Sequence, residues 1–172
     1  HECGNTSEYV HSYEYVPQFI FHNKGYDSKA NGGGMYMGVE LETQCDGDQP
    51  DALADFVTWD HESHAYLKED SSISGVEIVT HPMTLDYHYD YDWEGLINSA
   101  EKDGYYADSG AGLHVHLSRA GLGVNREAQA YVETNILAML EVHWNMWVIL
   151  ARRSRTRYAN KNLDGDIKWA AT

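Results

Sequence analysis

Tyr36–Thr43 reads YMGVELET, Gly75–His81 reads GVEIVTH and Leu113–Ser118 reads LHVHLS. The first and third alternate apolar and polar residues with the period of two that marks a strand buried on one side. The second is apolar almost throughout and is stopped by Pro82, which has no N–H for a ladder. Around these strands the period changes. Gln49 to about His61 predicts a short helix, with Pro50 in its first turn and Leu53, Phe56 and Val57 on one face. Asp90–Lys102 predicts a second, with Trp93, Leu96, Ile97 and Ala100 inward. Asn125 reads as an N-cap, with Glu127 at the positive end of a helix running to about Ser154. The apolar set Val132, Ile136, Met139, Leu140, Trp147, Leu150 and Ala151 predicts that this helix packs buried. Shorter strands are expected at Ala65–Lys68 and Gly104–Ala107, and an extended stretch at Gln18–His22. Together these predict an α+β fold, a largely antiparallel sheet with helices packed on one face. The run Gly32–Gly34 predicts a joint. Residues 1–34 are therefore expected to form an arm or linker, and 35–172 a domain.

The chain has 172 residues, 42% of them hydrophobic, which suffices for a core. No apolar run reaches the roughly 20 residues that cross a bilayer as a helix. Twelve Lys and Arg against 27 Asp and Glu give a net charge of −15. Such a balance argues against general nucleic-acid binding, which needs a basic face. The charge is divided: residues 1–118 carry a net −18, residues 119–172 a net +3, and all six Arg lie between Arg119 and Arg157. An acidic part suited to cations thus precedes a segment suited to anions; the plainer alternative is a solvated acidic surface. Cys3 and Cys45 form no CxxC pair; one disulfide between them is open, but two free thiols in a reducing, cytoplasmic setting are the expectation. His1, Cys3, His11 and His22 fit no closed zinc spacing.

Glu40 and Glu42 lie two apart on a strand, so their carboxylates leave one face about 6.5–7 Å apart along the chain. They repel unless water or a hard cation such as Mg²⁺ or Mn²⁺ lies between them. Glu77 is the one charge in an apolar strand, and burying it unpaired is costly. His114 and His116 share a face of the third strand, and imidazole is both a metal ligand and, when protonated, a phosphate donor. Each motif alone also suits an ordinary wet strand face or satisfied surface histidines. Their co-occurrence, with Gly38, Gly75 and Gly112 allowing close backbone approach, is more telling. Arg119, and Arg152, Arg153, Arg155 and Arg157 at a helix end, could neutralise a polyphosphate, though cations are favoured there in any case. Carboxylates for metals and guanidinium groups for phosphates are the components of phosphoryl transfer.

MGVELET, GVEIVTHP, SGAGLHVHLSR and the helix ending in RRSRTRYA together resemble the amidoligase family, carboxylate–amine ligases of the glutamine synthetase and γ-glutamylcysteine synthetase fold. The resemblance covers about residues 36–158, and its most specific piece is Gly112-Leu113-His114-Val115-His116 followed by Ser118. It implies an ATP-dependent ligase acting through an acyl phosphate, with Mg²⁺ or Mn²⁺. By position, Glu42 and Glu77 would hold one ion, and Glu40 and His114 the ion bridging the nucleotide phosphates. His116, Ser118, Arg119, Arg152 and Arg155 would lie toward the nucleotide. The substrates would be a small-molecule or peptide carboxylate and an amine, with no membrane or nucleic acid partner, and a homo-oligomer or larger assembly is compatible. The family's later strand with a Glu-x-Arg pair has no match after Tyr158, so a fragment or a reduced, inactive relative is expected. The resemblance also makes His1–Gly4 a candidate remnant of a zinc-ribbon segment. Two other readings compete: a non-catalytic binding or assembly module on the same fold, and a zinc hydrolase using the HxH pair with His81 or His143.

Overall fold

The computed structural model describes residues 9–24, 34–45 and 51–152. His1, Cys3, Pro50, Arg153, Arg155 and Arg157, named above, lie outside them. The chain divides into two compact units, His1–Leu117 and Ser118–Thr172, rather than near residue 34.

The first unit carries β1 (Val10–His11), β2 (Tyr36–Glu42), β3 (Gln44–Cys45), α1 (Asp51–Thr58), β4 (Ala65–Lys68), β5 (Glu77–Thr80), β6 (Met83–Thr84), α2 (Leu85–Asp90), α3 (Trp93–Lys102), β7 (Tyr105–Tyr106) and β8 (Leu113–Leu117). Its main sheet runs β1–β4–β5–β2, with β6 following β5 along the same edge of β2 and β8 on the other edge. All these ladders are antiparallel except β1 with β4, so the sheet is mixed. The residues expected to form an arm thus contribute a strand, and His22 adds a parallel bridge to Met83. β3 and β7 form a separate two-stranded ribbon.

The core lies on one side of the sheet. Leu67 and Ile78 face Leu53 and Val57 of α1 and Leu96 and Ala100 of α3. The helical period placed Leu53, Phe56 and Val57 of α1 and Trp93, Leu96 and Ala100 of α3 correctly, but Ile97, expected inward, is exposed. The two helices are also tied electrostatically. The Asp103 carboxylate, just past α3, accepts the Ala52 and Leu53 N–H groups at 3.1 and 2.8 Å, capping α1 from a distance. Gly104 follows with φ 80°, the left-handed exit that a helix end favours. Where Pro82 interrupts the sheet, Val39 N–H donates to Thr80 Oγ1 at 2.9 Å, so β2 keeps a partner across the gap between β5 and β6.

The second unit holds a 3₁₀ turn (Arg119–Leu122), α4 (Arg126–Val142) and α5 (Trp144–Leu150). Asn125 caps α4 as expected, accepting Ala128 N–H at 2.9 Å. The single long helix does not form: the chain breaks at His143, whose carbonyl accepts from both Met146 and Trp147. No residue of α4 or α5 is buried, against the expected buried packing helix. Cys45 is disulfide-bonded, which corrects the expectation of free thiols.

Among the described residues no helix is long and apolar enough to cross a membrane.

Candidate metal centre

β2 positions the site through its register. Glu40 stands opposite His114 on one side and Val79 on the other, Glu42 stands opposite Glu77, and Gly38 opposite His116. Directly opposed residues on paired strands point to one face. Glu40, Glu42, Glu77, His114 and His116 therefore all leave the sheet on the side away from α1 and α3.

Their contacts follow from this placement. His116 Nε2 lies 3.0 Å from Glu40 Oε2, and His114 Nδ1 lies 3.2 Å from the same oxygen. His114 Nε2 is 3.8 Å from Glu42 Oε1. The other Glu42 oxygen accepts Gly112 N–H at 2.7 Å. Glu40, Glu77 and His114 each offer a ligand atom, all within 4.8 Å of one another. Two ligands at about 2.1 Å from one Mg²⁺ lie at most about 4.2 Å apart, so small side-chain rotations close this set on an ion. Glu77 thus groups with Glu40 and His114, whereas the resemblance paired it with Glu42.

The charges are unevenly met. Burial pushes the Glu40 carboxyl up, but its hydrogen bonds with His116 and His114 outweigh that and hold it below the ordinary carboxylate range. Glu77 is only 7% exposed, and among the described residues it is in no ion pair. Burial raises its carboxyl, the nearby Glu40 charge raises it further, and Lys68 offsets this only in part. Two carboxylates and an imidazole, one carboxylate buried and only partly offset by Lys68, fit a hard divalent cation.

Two further residues on this face, Tyr66 and Lys68, were not singled out in the sequence, and a third, His11, was weighed there only for a zinc spacing. Tyr66 and Lys68 of β4 stand opposite Val79 and Glu77, and His11 of β1 stands opposite Lys68. Tyr66 is buried, and burial together with the Glu40 and Glu77 charges pushes its phenol up to about 12. His11 stacks on Tyr15 and its Nε2 lies 2.9 Å from Glu62 Oε2. The alternation of Ala65–Lys68 was the available signal, but only its pairing with β5 shows which side Tyr66 takes.

The three glycines have different roles. A Cβ at Gly112 would come within 3.0 Å of Glu42 Oε2 and 3.3 Å of His114 Nε2. At Gly75 it would meet the Thr43 backbone at 2.6 Å, a packing constraint away from the ligands, and at Gly38 nothing lies closer than 3.8 Å.

Ser118, Arg119 and Arg152 belong to the second unit. Arg119 makes a two-pronged pair with Glu133, Nε–Oε1 2.9 Å and Nη2–Oε2 3.0 Å. Arg152 adopts φ 50° just beyond α5. His81 is no ligand candidate: it is buried, Nδ1 accepts Ile20 N–H at 3.3 Å, and Nε2 contacts the Glu62 carbonyl at 3.1 Å. His143 sits at the break between α4 and α5.

Compared with family models, curated proteins and solved structures, the chain matches none of them.

Proposed function

We propose that the protein is a metal- and ATP-dependent carboxylate–amine ligase built on a glutamine-synthetase-like sheet. The observation that carries this reading is the convergence of Glu40, Glu77 and His114 from three strands onto one face, with Glu77 buried and in no ion pair among the described residues. When bound there, Mg²⁺ or Mn²⁺ would neutralise the carboxylates and polarise phosphate oxygens. Glu40, Glu77 and His114 would hold the ion. His116 fixes the Glu40 carboxylate from behind, and Gly112 N–H fixes Glu42. Burial and the Glu40 and Glu77 charges keep Tyr66 protonated beside the site. In the reaction a substrate carboxylate oxygen takes the γ-phosphoryl group as its bond to ADP breaks. An amine nitrogen then attacks the acyl carbon, phosphate leaves, and the nitrogen gives up a proton. The chain contributes by holding these partners in line.

Mg²⁺-dependent release of ADP, measured over a panel of carboxylates and amines, tests this. Turnover that falls at least 100-fold in Glu40→Ala and His114→Ala supports it. Absence of nucleotide binding, with both variants silent, contradicts it.

One observation favours the non-catalytic assembly reading. The apolar row of β8 is exposed, Leu113 at 63%, Val115 at 55% and Leu117 at 40%, and β2 is the one strand it pairs with among the described residues. Such an edge invites a second strand. Sedimentation that shows a dimer abolished by Val115→Glu, with no nucleotide turnover, would select it.

A further inference from the structure

We propose that a cavity on the helical side of the sheet binds a small organic cation, an ammonium group carried on an apolar or aromatic body. The cavity has a volume of about 660 Å³, and its lining includes Phe56, Trp59, Asp60, His64, Tyr87 and Tyr91. That size suits a small ligand. Ala65 also lines it. In β4 successive side chains alternate, so the cavity lies on the opposite side of the sheet from Tyr66, Glu40 and the metal centre. The proposal therefore stands apart from the ligase reading.

Its polar side is a relay. Asp60 pairs with His64 Nδ1, and His64 Nε2 lies 2.6 Å from the Tyr87 hydroxyl. His22 stacks on His64 with ring centroids 4.4 Å apart and planes 13° apart, its own Nε2 held 2.7 Å from the Ser63 carbonyl. Burial and the Asp60 charge keep the Tyr87 phenol protonated. Asp60, His64 and the Tyr87 hydroxyl thus form one hydrogen-bonded chain along the cavity wall, with Ser63 Oγ 3.0 Å from His64 Nδ1.

The Asp60 carboxylate is held at the cavity wall by these contacts, its other oxygen accepting Ser63 N–H at 3.1 Å. Burial pushes its carboxyl up, but its hydrogen bonds with His64 and Ser63 keep it below the ordinary range. The one lysine among the described lining residues, Lys24, is paired with Asp90, and Asp92 is turned to Gly95 N–H at 2.9 Å. An anionic ligand would meet three aspartates. A cation would meet Asp60 and the aromatic faces, which attract positive charge through their quadrupoles. Trp59, 86% exposed, contributes almost nothing to the core and offers its indole to an occupant.

The test uses the full chain and three probes of one shape: phenethylammonium, neutral 2-phenylethanol and anionic 3-phenylpropionate, each titrated calorimetrically. The ammonium is expected to bind saturably, at least tenfold tighter than the others. Asp60→Asn and Trp59→Ala should each weaken it about tenfold, which is about 1.4 kcal/mol, while Glu40→Ala leaves it unchanged. Should Asp60→Asn lose its circular-dichroism signature, Trp59→Ala, at an exposed position, carries the test. No saturable binding of the ammonium, equal binding of all three probes, wild-type affinity in every folded variant, or loss of binding in Glu40→Ala overturns the proposal.

Discussion

Glu77 and Glu40 lie on one sheet face yet respond to pH in opposite senses. The folded Glu77 carboxyl sits above its ordinary value because of burial and the Glu40 charge. Between the ordinary value, about 4.3, and the raised one, the folded chain holds more protons than the unfolded chain, so stability falls as pH rises through that window. Glu40 is depressed by its histidines; its contribution is present above the ordinary value and is lost as pH falls through the lowered one. Glu77→Gln removes the first effect. In EDTA at pH 7 its melting temperature should exceed that of the wild type, and saturating Mg²⁺ should raise the wild type much more than the variant; scanning calorimetry with and without the ion checks both. Gly112→Ala would crowd Glu42 Oε2 and His114 Nε2 and should weaken Mn²⁺ binding about 10–100-fold, the usual effect of disturbing groups that orient ligands. Gly38→Ala, whose Cβ would make only ordinary contacts at 3.8–4.0 Å, should bind as the wild type does. The site residues were legible because Glu40, Glu42, Glu77, His114 and His116 sit at strand spacing. Their grouping was not, because it depends on Glu42 turning to Gly112 N–H and Glu77 leaning toward Glu40.

At the scale of elements, β2 and β8 were legible from alternation, and α1 and α3 from their apolar faces. β1 was not, since a two-residue strand has no period and exists through its partner β4. α2, reading LDYHYD, has no apolar stripe and buries no residue, so nothing in its pattern announced a helix. The break at His143 involves neither Gly nor Pro, the usual signals. Gly75 illustrates a constraint that only the folded elements reveal. Thr43 Oγ1 donates to the Val76 carbonyl at 2.6 Å, and Gly75 N–H donates to the Thr43 carbonyl at 3.2 Å, which presses the two backbones together. Gly75→Ala should therefore destabilise by about 1–3 kcal/mol through overpacking. Leu67→Ala, at a fully buried position under α1 and α3, should cost about 2–5 kcal/mol. Urea denaturation measures both; a Gly75→Ala variant as stable as the wild type would mean that β2 and β5 do not approach so closely at this end.

In the whole molecule, the change in charge that the sequence shows after residue 118 falls beside the division between the two units at Leu117 and Ser118. The acidic unit is the one that holds the sheet and the carboxylate face. Screening alone would stabilise such a unit equally in any salt of the same ionic strength. A specific site adds a term that grows with the concentration of the bound ion. Melting temperature should thus rise more in MgCl₂ than in NaCl at matched ionic strength, and the excess should vanish in Glu77→Gln. The central claim, that Glu40, Glu77 and His114 share one divalent ion, is tested most directly by titrating Mn²⁺ into the full chain and recording its pulsed electron-spin-echo spectrum. The account predicts one saturable site with coupling to an imidazole nitrogen, the coupling lost in His114→Ala and the affinity reduced in Glu77→Gln. Saturable binding without nitrogen coupling, or binding that survives both substitutions unchanged, would contradict it.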